Sequence, residues 1–176
     1  MSTFVRRTSA VSTAAAIWTK LKRLLAASGS AGGPGAGEWF VIITLETVRP
    51  FGSEKSTYTF TLPRRAGTAL TELYRSALQH ERCPEELKTL VRGGGSMIVF
   101  YSIEPNQLSK GEYAVFIATE VLNGCTATKG HSFDTLTIRT ATREAVYQAD
   151  LGRRGLPPTA AILSYSIRPN RVDTAA

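Results

Sequence analysis

His80 and Cys83 stand three residues apart, and Cys125 and His131 six apart. On paper these pairs offer two chemistries: four ligands for a zinc ion, or a thiol beside an imidazole for nucleophilic attack. Structural zinc sites draw on close Cys or His pairs held in turns, and here one pair starts in a predicted helix while the other lies in a loop. A buried thiol and a surface imidazole are the expectation, with no metal and no cofactor. Glu85 and Glu86 are adjacent in the first turn of a predicted helix, a place for dipole complementation rather than acid–base pairing. Gly93-Gly94-Gly95-Ser96 follows a helix and precedes a strand, the reverse of a phosphate-binding loop. No catalytic set emerges, and no small-molecule substrate is expected.

The basic residues are more informative. Arg6, Arg7, Lys20, Lys22 and Arg23 precede the first convincing strand, and no acid lies among the first 37 residues. A formal charge of +7 and a pI near 9.7 favour anionic partners, nucleic acid or acidic lipid headgroups. Arg64 and Arg65 before a helix, and Arg153 and Arg154 on a predicted exposed loop over 152–158, are candidates for a further basic surface. Binding through these groups would fall with added salt.

These side chains must be positioned by an arm and a body. Val11, Ala14, Ala15, Ile17, Trp18, Leu21, Leu24 and Leu25 recur at helical spacing, which predicts an amphipathic helix over 11–27. Gly29, Gly32, Gly33, Pro34, Gly35 and Gly37 then form a joint. The body, 38–170, reads as a single α+β domain, and 171–176 as a disordered tail. Its first strand opens at Glu38 and stops at Pro50, and a turn through Gly52 leads to a half-buried strand over 56–62 that can pair with it. Helices follow from about Thr68 to His80 and from Pro84 to the three glycines. Strands are predicted at 97–103, 112–122, 133–140, 144–149 and 160–168. The fold class is therefore an antiparallel β-sheet with one helical segment packed against it, with no repeat of fixed period. Two isolated cysteines point to free thiols in a reducing compartment, and no apolar run is long enough to cross a bilayer.

The order of basic arm, aromatic-led strand (Trp39 to Val48), Arg49-Pro50-Phe51 turn, Thr/Tyr strand, helix, glycine break and apolar strand through Ile103 resembles the matrix proteins of rhabdoviruses, and the size is similar to the plant-infecting, cytorhabdovirus-like members. The resemblance implies a virion structural protein that self-associates, condenses the viral nucleocapsid and its RNA, and lines the envelope's inner face as a peripheral membrane protein. It would work in the virion, the host cytoplasm and the membrane periphery, in contact with the host. Arg6, Arg7, Trp18, Lys20, Lys22 and Arg23 would then hold membrane and nucleocapsid. The chain departs from the animal members in lacking a Pro-Pro-x-Tyr or Pro-Thr-Ala-Pro budding motif in the arm; Pro157-Pro158-Thr159-Ala160 is a partial echo elsewhere. The alternatives are an icosahedral coat subunit with an RNA-neutralising arm, expected as two facing four-stranded sheets, and a basic protein imported into an organelle.

Overall fold

A computed structural model describes residues 37–64, 69–123 and 126–171. The predicted arm helix, with Arg6, Arg7, Trp18, Lys20, Lys22 and Arg23, lies outside the described residues, as do Arg65, Cys125 and the tail beyond Arg171.

The body is mostly antiparallel sheet with three helices. Strand β1 (Glu38–Arg49) turns at Pro50-Phe51 into β2 (Gly52–Pro63); α1 (Leu70–Ala77) and α2 (Glu85–Arg92) follow, and β3 (Ser96–Pro105) returns alongside β1. A two-residue strand, β4 (Gln107–Leu108), leads to β5 (Gly111–Asn123), which forms a hairpin with β6 (Thr126–Ile138). Another short strand, β7 (Ala141–Thr142), leads into α3 (Arg143–Arg154), and β8 (Ala161–Pro169) returns beside β5. Strand orders are β2-β1-β3 and β6-β5-β8, with β4 and β7 paired as a bridge.

The expected single sheet is thus replaced by two three-stranded sheets of identical order, a repeat of structure with no fixed period in the sequence. Residue n of the first hairpin matches residue n + 74 of the second: Glu38↔Pro63 becomes Glu112↔Thr137, and Arg49↔Gly52 becomes Asn123↔Thr126. The returning strands match at n + 64, and both carry a register shift at the same place, Thr44/Leu45 and Ala118/Thr119. Identical residues hold equivalent places: Glu38/Glu112, Val41/Val115, Ile43/Ile117, Glu46/Glu120, Lys55/Lys129, Thr61/Thr135 and Leu62/Leu136. Tyr101-Ser102-Ile103-Glu104-Pro105-Asn106 is repeated as Tyr165-Ser166-Ile167-Arg168-Pro169-Asn170. Both asparagines close their unit alike, with Asn106 N–H donating to Glu38 O and Asn170 N–H to Glu112 O, each at 2.9 Å. The molecule is two units of two strands, a helical segment and a third strand: 38–106 with two helices and 111–170 with one.

Strand alternation assigns the faces. In the first unit Val41, Ile43, Leu45 and Phe60 face α1 and α2, forming a core with Leu73, Ala77, Cys83 and Leu87. The opposite face, with Phe40 and Ile42, packs into a second core holding Val115, Ile117, Val146, Tyr147, Tyr165 and Ile167. That core is shared between the units, and the Tyr147 ring lies 5.5 Å from Phe40. Arg143, buried in the joint, donates to Pro105 O (3.1 Å) and Ile167 O (3.0 Å) and pairs with Glu104 (3.0 Å).

Residues 144–149, predicted as a strand, are helical. Arg143, Val146, Tyr147, Asp150 and Leu151 form a helical stripe, but two of the five are charged and escape an apolar pattern. Thr142 caps the start, accepting from Ala145 N–H at 3.0 Å, and Gly155 ends it at φ 61°. Strand β6 starts seven residues before the predicted Phe133, because its solvent-facing half is polar.

Candidate functional site

Among the described residues, the predicted chemical side chains do not come together. Cys83 is buried in the first core, where desolvation raises its thiol pKa, and His80 Nδ1 accepts from Arg82 N–H in the same turn. His131 stands exposed on the second sheet. Among the described residues no three His, Cys, Asp or Glu side chains form a metal-binding group. A cleft of about 400 Å³ between β2, α3 and the Pro157-Pro158 turn is lined by Thr57, Thr59, Tyr147 and Gln148 among its polar residues, with no carboxylate, imidazole or thiol.

Arg153 and Arg154 do not form an exposed basic loop. They occupy the last turn of α3, where both pair with Asp134 on β6 and with Asp150, at 2.8 Å for Arg153 and 3.0 Å for Arg154. Two aspartates balance two arginines, and the hydrogen bond from Arg153 leads the effects that hold the Asp134 carboxyl below its ordinary range. Arg64 is exposed, but its guanidinium rests 5.1 Å from the centre of the Trp39 ring. The described residues hold fifteen Lys and Arg against thirteen Asp and Glu, an excess of two. Five of the chain's seven net charges therefore belong to residues 1–36.

The conspicuous surface is the outer face of the second sheet. Because β5 alternates, Glu112, Ala114, Phe116, Ala118 and Glu120 point away from α3. Opposite them on β6 stand Thr137, Thr135, Phe133, His131 and Lys129, and on β8 Arg168, Ser166 and Ser164. Phe133 is 73% exposed and packs only sideways, its ring 4.6 Å from Phe116 and 6.2 Å from His131. The equivalent positions of the first sheet, Phe40, Ile42 and Thr44, are all fully buried against the second unit. Thr44 Oγ1 donates to Ile162 O (2.6 Å) and Thr57 Oγ1 accepts from Ile162 N–H (2.8 Å), so threonines of the first sheet satisfy backbone groups of edge strand β8.

The two hairpins meet near their turns in a charge cluster. Lys55 bridges Glu46 (3.3 Å) and Glu120 (2.8 Å), and Lys129 lies 3.6 Å from Glu120. Glu120 is only 5% exposed, and its hydrogen bond is the main cause that raises the Lys55 pKa. Beyond this cluster, Val48 and Phe51 stand exposed at the first hairpin tip.

No protein-family model matches this chain, and no curated protein or solved structure is significantly similar to it. Among the described residues no helix is long and apolar enough to cross a membrane.

The bare face and the two-unit plan were missed in the sequence. The signals were present in the repeated Tyr-Ser-Ile-x-Pro-Asn and in Phe116 and Phe133, aromatics on strands whose same-face neighbours are polar or small.

Proposed function

We propose that this chain is a non-catalytic assembly protein of the viral matrix type: it self-associates through its body and uses its basic N-terminal residues to hold an anionic membrane surface and the nucleocapsid. The observation that carries this reading is the uneven distribution of charge along the chain. Residues 1–36 hold five cations and no acid, while the body is nearly balanced, with many of its cations committed to ion pairs. Such a division suits a body that packs against protein and a segment that neutralises phosphate or lipid headgroups. The architecture matches neither the single sheet expected of a matrix domain nor the two four-stranded sheets of a coat subunit, so support comes from charge and surface.

The test is co-sedimentation of the full chain with phosphatidylserine vesicles and with single-stranded RNA over a salt series. Lys20, Lys22 and Arg23 changed together to Gln should weaken vesicle binding roughly a hundredfold, at about 1 kcal/mol per cation. Vesicle and RNA binding that survive both the triple change and high salt would exclude the reading.

A further inference from the structure

The outer face of the second sheet has a charge pattern that complements itself. Phe116 and Phe133 form its centre, paired across β5 and β6. Four residues along β5 in one direction stands Glu112, and four in the other stands Glu120, opposite Lys129 on β6. Each lies about 13 Å from the aromatic centre. Glu112 is exposed, its carboxylate receiving Asn170 Nδ2 at 3.1 Å. Lys129 is 70% exposed and keeps donor directions free beyond its long contact with Glu120. The remaining positions of central strand β5 and of its neighbour β6 are mostly small: Ala114 and Ala118 on β5, Thr135 on β6 beside His131. A flat face of this kind lets a second sheet approach to the usual spacing of about 10 Å.

We infer that this face pairs with the same face of a second copy, through a two-fold axis lying between the sheets and perpendicular to their strands. That operation places the aromatic centres on each other and brings Lys129 of each copy to the Glu112 end of the other. It also sets the Ala114 row over the Ala118 row, where neither side chain obstructs the approach. Glu112 of each copy then lies over Glu120 of the other, whose charge Lys55 and Lys129 offset, whereas an axis parallel to the strands would set Glu112 against Glu112 with no lysine beside the pair. The contact is isologous, so it closes at two copies. Within the molecule, the equivalent face of the first unit is already used as a packing surface, closed by Tyr147, Ile162 and neighbours. The inference rests on the self-association part of the proposed function and not on its anion binding.

The footprint, nine residues long and three strands wide, is about 27 Å by about 14 Å. That is below the roughly 800 Å² per partner of a standard interface, which sets a dimer that dissociates on dilution. Sedimentation equilibrium of the full chain at roughly 0.3 M salt, where exposed long-range charge effects are screened, should give a concentration-dependent monomer–dimer equilibrium. Phe133→Lys should raise the dissociation constant at least tenfold. Lys129→Glu and Glu112→Lys should each weaken pairing alone, while the two mixed together should form a heterodimer, since both salt contacts are then restored. Thermal midpoints of each variant separate loss of pairing from loss of fold.

Association unchanged by Phe133→Lys overturns the interface while leaving self-association by another surface. A wild type that is monomeric throughout overturns the pairing itself. Failure of diethyl pyrocarbonate to modify the exposed His131 in that monomer would assign the face to residues 1–36 of the same chain, and failure only after RNA is added would assign it to nucleic acid. Vesicle and RNA binding by the arm is measured independently of every one of these outcomes.

Discussion

Ile42 and Phe116 occupy the same place in two sheets of the same order, yet one is sealed in the shared core and the other borders open surface. The two units share strand order, hairpin register, the position of the register shift and the closing asparagine. They differ in what lies on the face away from their helices. In the first unit that face carries Phe40, Ile42 and Phe100; in the second it carries Ala114, Phe116 and Ser164. The helix-facing strands kept valine and isoleucine in both units, because each must bury a helix. The outer faces diverged because only one of them had a partner inside the chain. The same backbone plan thus supplies both an internal joint and an external surface, and side-chain size and polarity decide which.

The strongest way to break the comparison is to release the joint. Arg143→Ala removes a buried guanidinium from two backbone carbonyls and from Glu104, which then keeps Arg168 as its ion-pair partner. A loss of about 3–4 kcal/mol in denaturant unfolding is expected. A loss under 1 kcal/mol would mean that apolar packing, the Thr44 and Thr57 bonds to Ile162 and the Lys55–Glu120 pair hold the units without Arg143. Next in size is a matched pair of truncations at equivalent positions. Ile42→Ala opens a cavity in the shared core and should cost about 3 kcal/mol, whereas Phe116→Ala, half-exposed, should cost about 1 kcal/mol. Equal losses would show that the second face is as protected in solution as the first.

Much of the first unit is legible in the sequence, and much less of the second. Strand β1 alternates cleanly between large apolar residues on both faces and ends at a proline, so its limits and its pairing with β2 follow from pattern alone. The helices α1 and α2 are announced by Leu73, Ala77 and Leu87 and by glycines at the end. Helix α3 is hidden because its buried stripe includes Arg143 and Asp150, charges that are tolerated only where backbone carbonyls and arginines satisfy them. The same pairing neutralises Arg153 and Arg154, which in sequence look like a basic tip; their partner Asp134 is some twenty residues away on another strand. The outer face of the second sheet is invisible to periodicity, since its meaning comes from comparison with the covered face of the first. The repeat that would have exposed it is interrupted by helical segments of unequal length, so no constant period runs through the chain.

A smaller effect separates the units by pH. The first unit has Phe60 where the second has Asp134, whose carboxyl is held below its ordinary range by Arg153 and Arg154. A carboxylate with a lowered folded pKa adds stability that is fully present above its unfolded value, about 3.9, and is lost as pH falls through the folded value. Asp134→Asn should therefore cost about 1 kcal/mol at pH 7 and progressively less below about pH 4, where the wild type loses the same contribution. Urea unfolding of both proteins at pH 7, 4 and 3 measures the gap. A gap that stays constant into acid would mean that the difference does not come from the Asp134 charge, and no gap at any pH would mean that the arginines prefer Asp150 and leave Asp134 unpaired.

The smallest expected change in monomer stability lies at the most exposed aromatic. Phe133→Ala removes a ring that is 73% exposed and touches only Phe116 and His131 sideways, so the folded monomer should change by about 0.5 kcal/mol or less. Its effect should instead appear in how stability depends on concentration. A partner that binds only the folded state raises the unfolding midpoint as protein concentration rises. The wild-type midpoint should climb over a hundredfold range of concentration, while that of Phe133→Ala stays nearly flat, and the two should converge at high dilution. Curves that remain apart at the lowest concentration would place Phe133 in the fold of the second unit, as Ile42 lies in that of the first, and would erase the difference between the two faces.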